Sequence, residues 1–155
     1  MGQISDTIHR TGEDLLPTFH YLEREELKDM EEFLQVVNCY EGETICEEGN
    51  ICDYLAFIIS GKVEIRKNTE FEGKEVVMGI LSRGAMVGEI WVLGDHPGPV
   101  TAIAKEDSKL VMISRKNFNT LLEVHPKTGV KLLKGMLLTN TLRLKNAYDR
   151  IASLF

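Results

Sequence analysis

Between Val36 and Ile113 no apolar run is long enough to build a helix, and this constrains the fold more than any other feature of the chain. Short apolar stretches alternate with glycine-bearing turns. Val36–Tyr40 precedes Glu41-Gly42-Glu43, Thr44-Ile45-Cys46 precedes Glu47-Glu48-Gly49-Asn50, and Tyr54–Ile59 precedes Ser60-Gly61. Lys62–Lys67 runs to a polar loop ending at Gly73, and Glu75–Leu81 closes on Ser82-Arg83-Gly84. Thr101–Ala104 and Lys109–Ile113 complete the series. Val63-Glu64-Ile65-Arg66 alternates apolar and charged, as a strand with one wet face does. About seven short strands, with turn signals roughly every eight to twelve residues, predict a sandwich or barrel. Gly42, Gly49, Gly61 and Gly84 fall where such turns need positive φ or close backbone approach.

The flanks carry helical patterns. Residues 1–14 are polar and unpatterned and are expected to form a tail. Thr18 is expected to cap a helix beginning near Tyr21 and ending near Phe33 to Gln35, with Leu27, Met30 and Leu34 on one face. Ser114 can cap a helix from Arg115 to about Glu123, and Pro126 suits the first turn of a long final helix. In that helix Val130, Leu133, Leu137, Asn140, Leu144, Ala147, Ile151 and Leu154 are spaced 3, 4, 3, 4, 3, 4, 3. A straight helix packed only on its own domain would drift from this heptad register. The expectation is a parallel homodimer through these residues, with Asn140 facing its own copy and fixing register. Leu132, Met136, Leu138 and Leu142 are also apolar, so the helix is expected to touch its own domain too. The division is then a tail (1–14), a β-roll domain (15–125) and a dimerisation helix (126–155).

Composition narrows the function classes. The net charge is −6 and no basic block of five or more residues occurs, which argues against a direct grip on nucleic acid. No apolar run approaches the ~20 residues that span a bilayer. The start, Met1-Gly2-Gln3-Ile4-Ser5-Asp6, lacks the pattern of a signal peptide or a myristoylation site. A cytoplasmic protein is expected. The three cysteines, Cys39, Cys46 and Cys52, form no C-x-x-C pair and fall short of the four thiolates of an iron–sulfur cluster. They are expected to pack as small hydrophobes. The four histidines, His9, His20, His96 and His125, are scattered, so the metal site of a cupin-type enzyme is disfavoured. Neither G-x-S-x-G nor a P-loop occurs. No enzymatic activity and no metal are expected.

One stretch is more specific. Met86-Val87-Gly88-Glu89-Ile90-Trp91-Val92-Leu93 is followed by Pro99-Val100-Thr101-Ala102. With the earlier Gly42-Glu43-Thr44-Ile45, Glu48-Gly49 to Asp53, and Ile58-Ile59-Ser60-Gly61-Lys62-Val63, it resembles the cyclic-nucleotide-binding domain family, of the catabolite activator protein and protein kinase A regulatory subunit type. The resemblance covers about residues 15–155. It implies a mainly β fold with flanking helices: a double-stranded β-helix, or jelly-roll-like β-roll, with an N-terminal helix and a long C-terminal helix. It also implies a non-enzymatic regulatory role and a cyclic nucleotide, cAMP or cGMP, as ligand.

In that family the phosphate-binding cassette reads Gly-Glu, a short helix, a loop, then Arg-Ser/Thr-Ala. Carried over by resemblance, Glu89 after Gly88 would hold ribose. The Glu89 and Ile90 amides and the Thr101 hydroxyl would hold phosphate, and Ala102 would allow close backbone approach. Arg143 would reach in from a lid between Leu142 and Asn146. Val100 stands where the family has its phosphate-neutralising arginine. Removing one partner of a buried charge pair costs roughly 3–5 kcal/mol, which lowers affinity a hundredfold or more. Weakened cyclic-nucleotide binding is therefore expected, unless Arg83, His96 or Arg143 compensates. Trp91, where the family usually has a small residue, is expected either to crowd the pocket or to stack on a base. Bacterial relatives carry a helix-turn-helix domain after the long helix. Here the sequence stops at Phe155, so the expectation is a stand-alone module that acts on an unidentified protein partner.

Overall fold

A computed structural model describes Leu15 and residues 17–155. The tail expected over 1–14 lies outside the described residues. Helix α1 (Arg24–Glu31) leads into eight strands. They are β1 (Gln35–Cys39), β2 (Thr44–Cys46), β3 (Tyr54–Ser60), β4 (Val63–Asn68), β5 (Glu75–Leu81), β6 (Met86–Val87), β7 (Thr101–Ala104) and β8 (Ser108–Ser114). A 3-10 helix (Glu89–Leu93) separates β6 from β7, and helices α2 (Arg115–Val124) and α3 (Pro126–Ala152) follow.

The strands form two antiparallel four-stranded sheets, ordered β1-β8-β3-β6 and β2-β7-β4-β5. Their facing sides enclose Ile45, Cys46, Ala56, Ile58, Val63, Ile65, Trp91 and Leu110 inside the roll. Helices cover the outer side of the first sheet, where Leu55, Phe57, Ile59, Val111 and Ile113 meet Phe19, Met30, Phe118, Leu121 and Leu132. β3 is therefore buried on both faces, which explains its unbroken Leu55–Ile59 run. β4 buries Val63 and Ile65 on one face, but the face expected to be wet is not fully so, because Glu64 is buried as well. Between them Glu64 is held by Arg66 at 2.6 Å and Lys105 at 3.1 Å, which keep its carboxyl below the usual range. At the β3–β4 turn Gly61 has φ +93°, and a Cβ there would lie 2.1 Å from Ser108 Oγ.

Two expectations are corrected. The N-terminal helix begins at Arg24 rather than near Tyr21. A capping box between Glu23 and Glu26 starts it, with Glu23 N–H donating to Glu26 Oε2 at 2.8 Å. Thr18 lies in helical backbone, and its buried hydroxyl has no partner among the described residues. The two-residue strand β6 was not expected, because Met86-Val87 is too short to show a period. At the other end Ser114 accepts from Asn117 N–H at 3.0 Å and caps α2 as expected. Pro126 opens α3.

Helix α3 docks by removing side chains where it meets its neighbours. A Cβ on Gly135 would lie 2.2 Å from the Tyr21 ring, and one on Gly129 would lie 2.5 Å from Leu122. Each mid-helix glycine costs about 1 kcal/mol of helix propensity, offset here by close packing. Thr128 donates to Asp29 at 2.8 Å and Lys131 pairs with Glu26 at 2.6 Å, tying α3 to α1. Beyond Met136 the helix leaves the helical layer and lies over the open mouth of the roll. No described helix is long and apolar enough to cross a membrane.

Candidate functional site

The site forms where the 3-10 helix turns out of β6. Gly88 sits at φ +84°, and any Cβ there would lie 2.7 Å from both the Trp91 ring and the Tyr54 carbonyl oxygen. This close packing requires glycine and aims the next residue, Glu89, toward α3. Asn140 Nδ2 donates to Glu89 Oε1 at 3.4 Å. The Arg143 guanidinium lies 3.9 Å from the same oxygen and donates to Met86 O at 3.4 Å. Helix α3 thus closes over the 3-10 turn through one carboxylate.

Gly88, Glu89, Ile90, Val100 and Arg143, expected from the sequence to act together, line one cavity of about 100 Å³. Cys46, Val87, Trp91, Gly98 and Pro99 complete its wall. Two expected residues stand off it. Ala102 is fully buried in β7 opposite Ile65, and the Thr101 hydroxyl accepts from Glu48 N–H at 3.0 Å. Val100 is half-buried against the inner core and places only methyl groups in the cavity.

Of the two expectations for Trp91, crowding fits the geometry: the side chain lines the first cavity. It is 1% exposed, so its indole cannot stack on a bound base. Its N–H donates to His96 O at 3.0 Å and its ring fills the space left by Gly88 and Gly98. It is the floor of the cassette. Of the compensating cations considered, Arg83 is held elsewhere, donating to Ile59 O at 3.0 Å, and His96 is exposed in the loop. Arg143 alone of the three reaches the cavity.

A second cavity, about 400 Å³, adjoins the first between β5 and α3. Val100 and Arg143 line both. Of its further polar residues, Asn146 closes the lid segment expected from the sequence, whereas Lys67 and Arg150 are not among the expected site residues. The signal was present: Arg143 and Arg150 are seven residues apart, hence on one helix face. Near the first cavity, burial pushes the Cys46 thiol up to about 11 and the Tyr54 phenol up to about 12. Tyr54 donates its hydroxyl to Ile45 O. Both groups are neutral at neutral pH, and Cys46 is part of the wall.

The expected dimer residues divide. Val130, Leu133, Leu137, Leu144 and Ile151 on α3, and Leu154 just beyond it, are 38–80% exposed, whereas Ala147 is half-buried and lines the larger cavity of its own chain. Asn140 instead faces Glu89 in its own chain, and its buried Oδ1 has no partner among the described residues.

The family model for the cyclic nucleotide-binding domain matches residues 36–125. The potassium channel KOR1 of Oryza sativa subsp. japonica is 28% identical over 135 residues, which is 87% of this chain and 16% of the channel. The crystal structure of a cyclic nucleotide-binding domain from Methylobacillus flagellatus superposes with a TM-score of 0.87 at 24% identity, covering 94% of this chain and 85% of that one. The catabolite activator protein of Thermus thermophilus gives a TM-score of 0.70 at 27% identity, covering 88% of this chain and 63% of that one.

Proposed function

The chain belongs to the cyclic nucleotide-binding domain family, and on that premise we propose that it is a non-enzymatic, ligand-sensing regulatory module with weakened affinity for cyclic nucleotides. The observation that carries this reading is Val100, an apolar side chain on the cassette wall facing Glu89 across a small cavity. A phosphate at about 4 Å from that carboxylate meets roughly 4 kcal/mol of repulsion in a partly screened site. No lysine or arginine lies on β7 or the loop before it to offset this. Arg143, already shared with Glu89 and Met86 O, is the one lysine or arginine among the described residues that lines this cavity.

In this proposal residues 15–125 sense the ligand in the cytoplasm, and 126–155 pair with a second copy through the exposed face of α3. A ligand that donates a hydrogen bond to the Glu89 carboxylate competes with Asn140 and Arg143. It thereby loosens or re-seats α3 and changes the dimer geometry read by a partner protein.

Calorimetric titration with cAMP and cGMP tests the reading on wild type and Val100→Arg. The expected result is no measurable binding by wild type and binding gained in the variant. Low-micromolar binding by wild type would sink it. That outcome would favour a second reading, in which Arg143 replaces the missing arginine, and Arg143→Met should then abolish the binding.

A further inference from the structure

The larger cavity beside the cassette has a charge character opposite to that of the whole molecule. The chain carries a net charge of −6, yet Lys67, Arg143 and Arg150 line this cavity and no carboxylate does. Lys67 is largely satisfied, by Glu48 at 2.5 Å and Pro99 O at 2.8 Å. Arg150 is not. Its Nη1 donates to Met78 O at 2.9 Å, and it enters no ion pair among the described residues. Its guanidinium lies over Gly79, at ordinary contact distance (3.8 Å) from where a Cβ would sit. Asn146 adds one amide to the wall, and apolar side chains including Ile65, Leu81, Val100 and Ala147 make up the rest.

Two guanidiniums on one helix face, one of them without a counter-ion, therefore stand opposite an apolar strand surface across about 400 Å³. We propose that this cavity binds an amphipathic organic anion, an aromatic or acyl body ending in a carboxylate. The carboxylate lies between Arg143 and Arg150, which offer forked N–H donors suited to it. The apolar body lies along β4 and β5 and reaches toward Val100. The positive end of the site is then on the helix, and Val100 becomes part of an apolar contact instead of a lost phosphate contact. This rests on the reading of the chain as a ligand-sensing module and names the ligand chemistry for it.

The test is calorimetric titration of the full chain with naphthalene-1-acetate and with its uncharged twin, naphthalene-1-acetamide. The acetate is expected to saturate one site per chain, with the acetamide about tenfold weaker or more, since charge-assisted hydrogen bonds are lost. Arg150→Met and Arg143→Met should each weaken the acetate by about tenfold and leave the acetamide unchanged. Amide resonances of Gly79 and Ala147 should shift on titration. Equal binding of the twins would overturn the proposal. So would insensitivity of the acetate to both substitutions, absence of saturable acetate binding below about 1 mM, or shifts confined to Leu137 and Leu144. The wild-type comparison needs no variant to fold. Tight wild-type binding of cyclic nucleotides would remove the earlier reading and leave the acetate–acetamide difference standing. Failure of the acetate leaves the Val100→Arg result untouched.

Discussion

At the scale of single residues, the cassette is held by what lies beneath it. Trp91 is buried between two glycines and anchored by one hydrogen bond to His96 O. Trp91→Ala should cost about 3–5 kcal/mol, the range for large aromatic truncations that leave a cavity. Urea unfolding followed by far-UV circular dichroism would measure this. A loss under about 1 kcal/mol would mean that the ring packs loosely and that the cassette floor lies elsewhere. Gly61→Ala should also destabilise, because a Cβ meets Ser108 backbone and side chain at 2.1–2.7 Å in a left-handed conformation. Val100 differs in kind. It is half-buried at the edge of both cavities, so Val100→Arg can turn its longer side chain into open space. Its effect should appear in ligand affinity, with stability within about 1 kcal/mol of wild type.

At the scale of elements, α3 serves two faces at once. Leu132, Gly135 and Met136 are buried against the domain, whereas Leu137 is 69% exposed and Leu144 50% exposed. The two faces are offset around the helix, and Asn140 lies at their border, turned inward to Glu89. This alters how the proposed dimer is best tested. Asn140→Lys would disturb the contact with Glu89 as well as any interface. Leu137→Glu and Leu144→Glu touch only the outer face. Sedimentation equilibrium is expected to show a dimer for wild type and a monomer for the Leu137→Glu, Leu144→Glu double variant, with unchanged thermal unfolding of the monomeric domain. A monomeric wild type ends the dimer proposal. The heptad spacing made the helix and its apolar character legible in the sequence. Which stripe turns inward was not legible, because it depends on how Gly129 and Gly135 seat the helix on Leu122 and Tyr21. The glycine-punctuated strands were readable for a local reason: each turn needs a residue at positive φ, and Gly42, Gly49, Gly61 and Gly84 all have it. The start of α1 was missed because its cap is a pair of glutamates, in a run where every exposed position is charged or polar. Within the site, Gly88 to Val100 could be read because they are close in sequence. Arg150, Lys67 and the inward turn of Asn140 arise only when α3 lies across the roll.

At the scale of the whole molecule, the distribution of buried titratable groups predicts an asymmetric response to pH. Burial raises the Cys46 thiol to about 11, against an ordinary 9.0. It raises the Tyr21 and Tyr54 phenols to about 12, against 10.0. Tyr21 packs against Gly135 beneath α3, while Cys46 and Tyr54 surround the cassette, so alkaline titration acts on both layers of the fold. All three groups are neutral when protonated. Between their ordinary and raised values the folded chain holds protons that the unfolded chain has released. Stability therefore falls as pH rises, at about 1.4 kcal/mol per pH unit for each group inside its window. The contribution is complete below about pH 9 and is lost through about pH 12. Glu26, Glu48 and Glu64, held below the usual carboxylate range by hydrogen bonds and cationic neighbours, act in the opposite sense and lose their contribution as pH falls into the acid range. Urea midpoints should hold steady around neutrality and drop between about pH 9 and 10.5. Cys46→Ser should flatten the first part of that decline, because a serine hydroxyl does not titrate there. A midpoint independent of pH over this interval, or a slope unchanged in Cys46→Ser, would show that these side chains reach water in the folded chain. The closed wall described for the cassette would then be wrong.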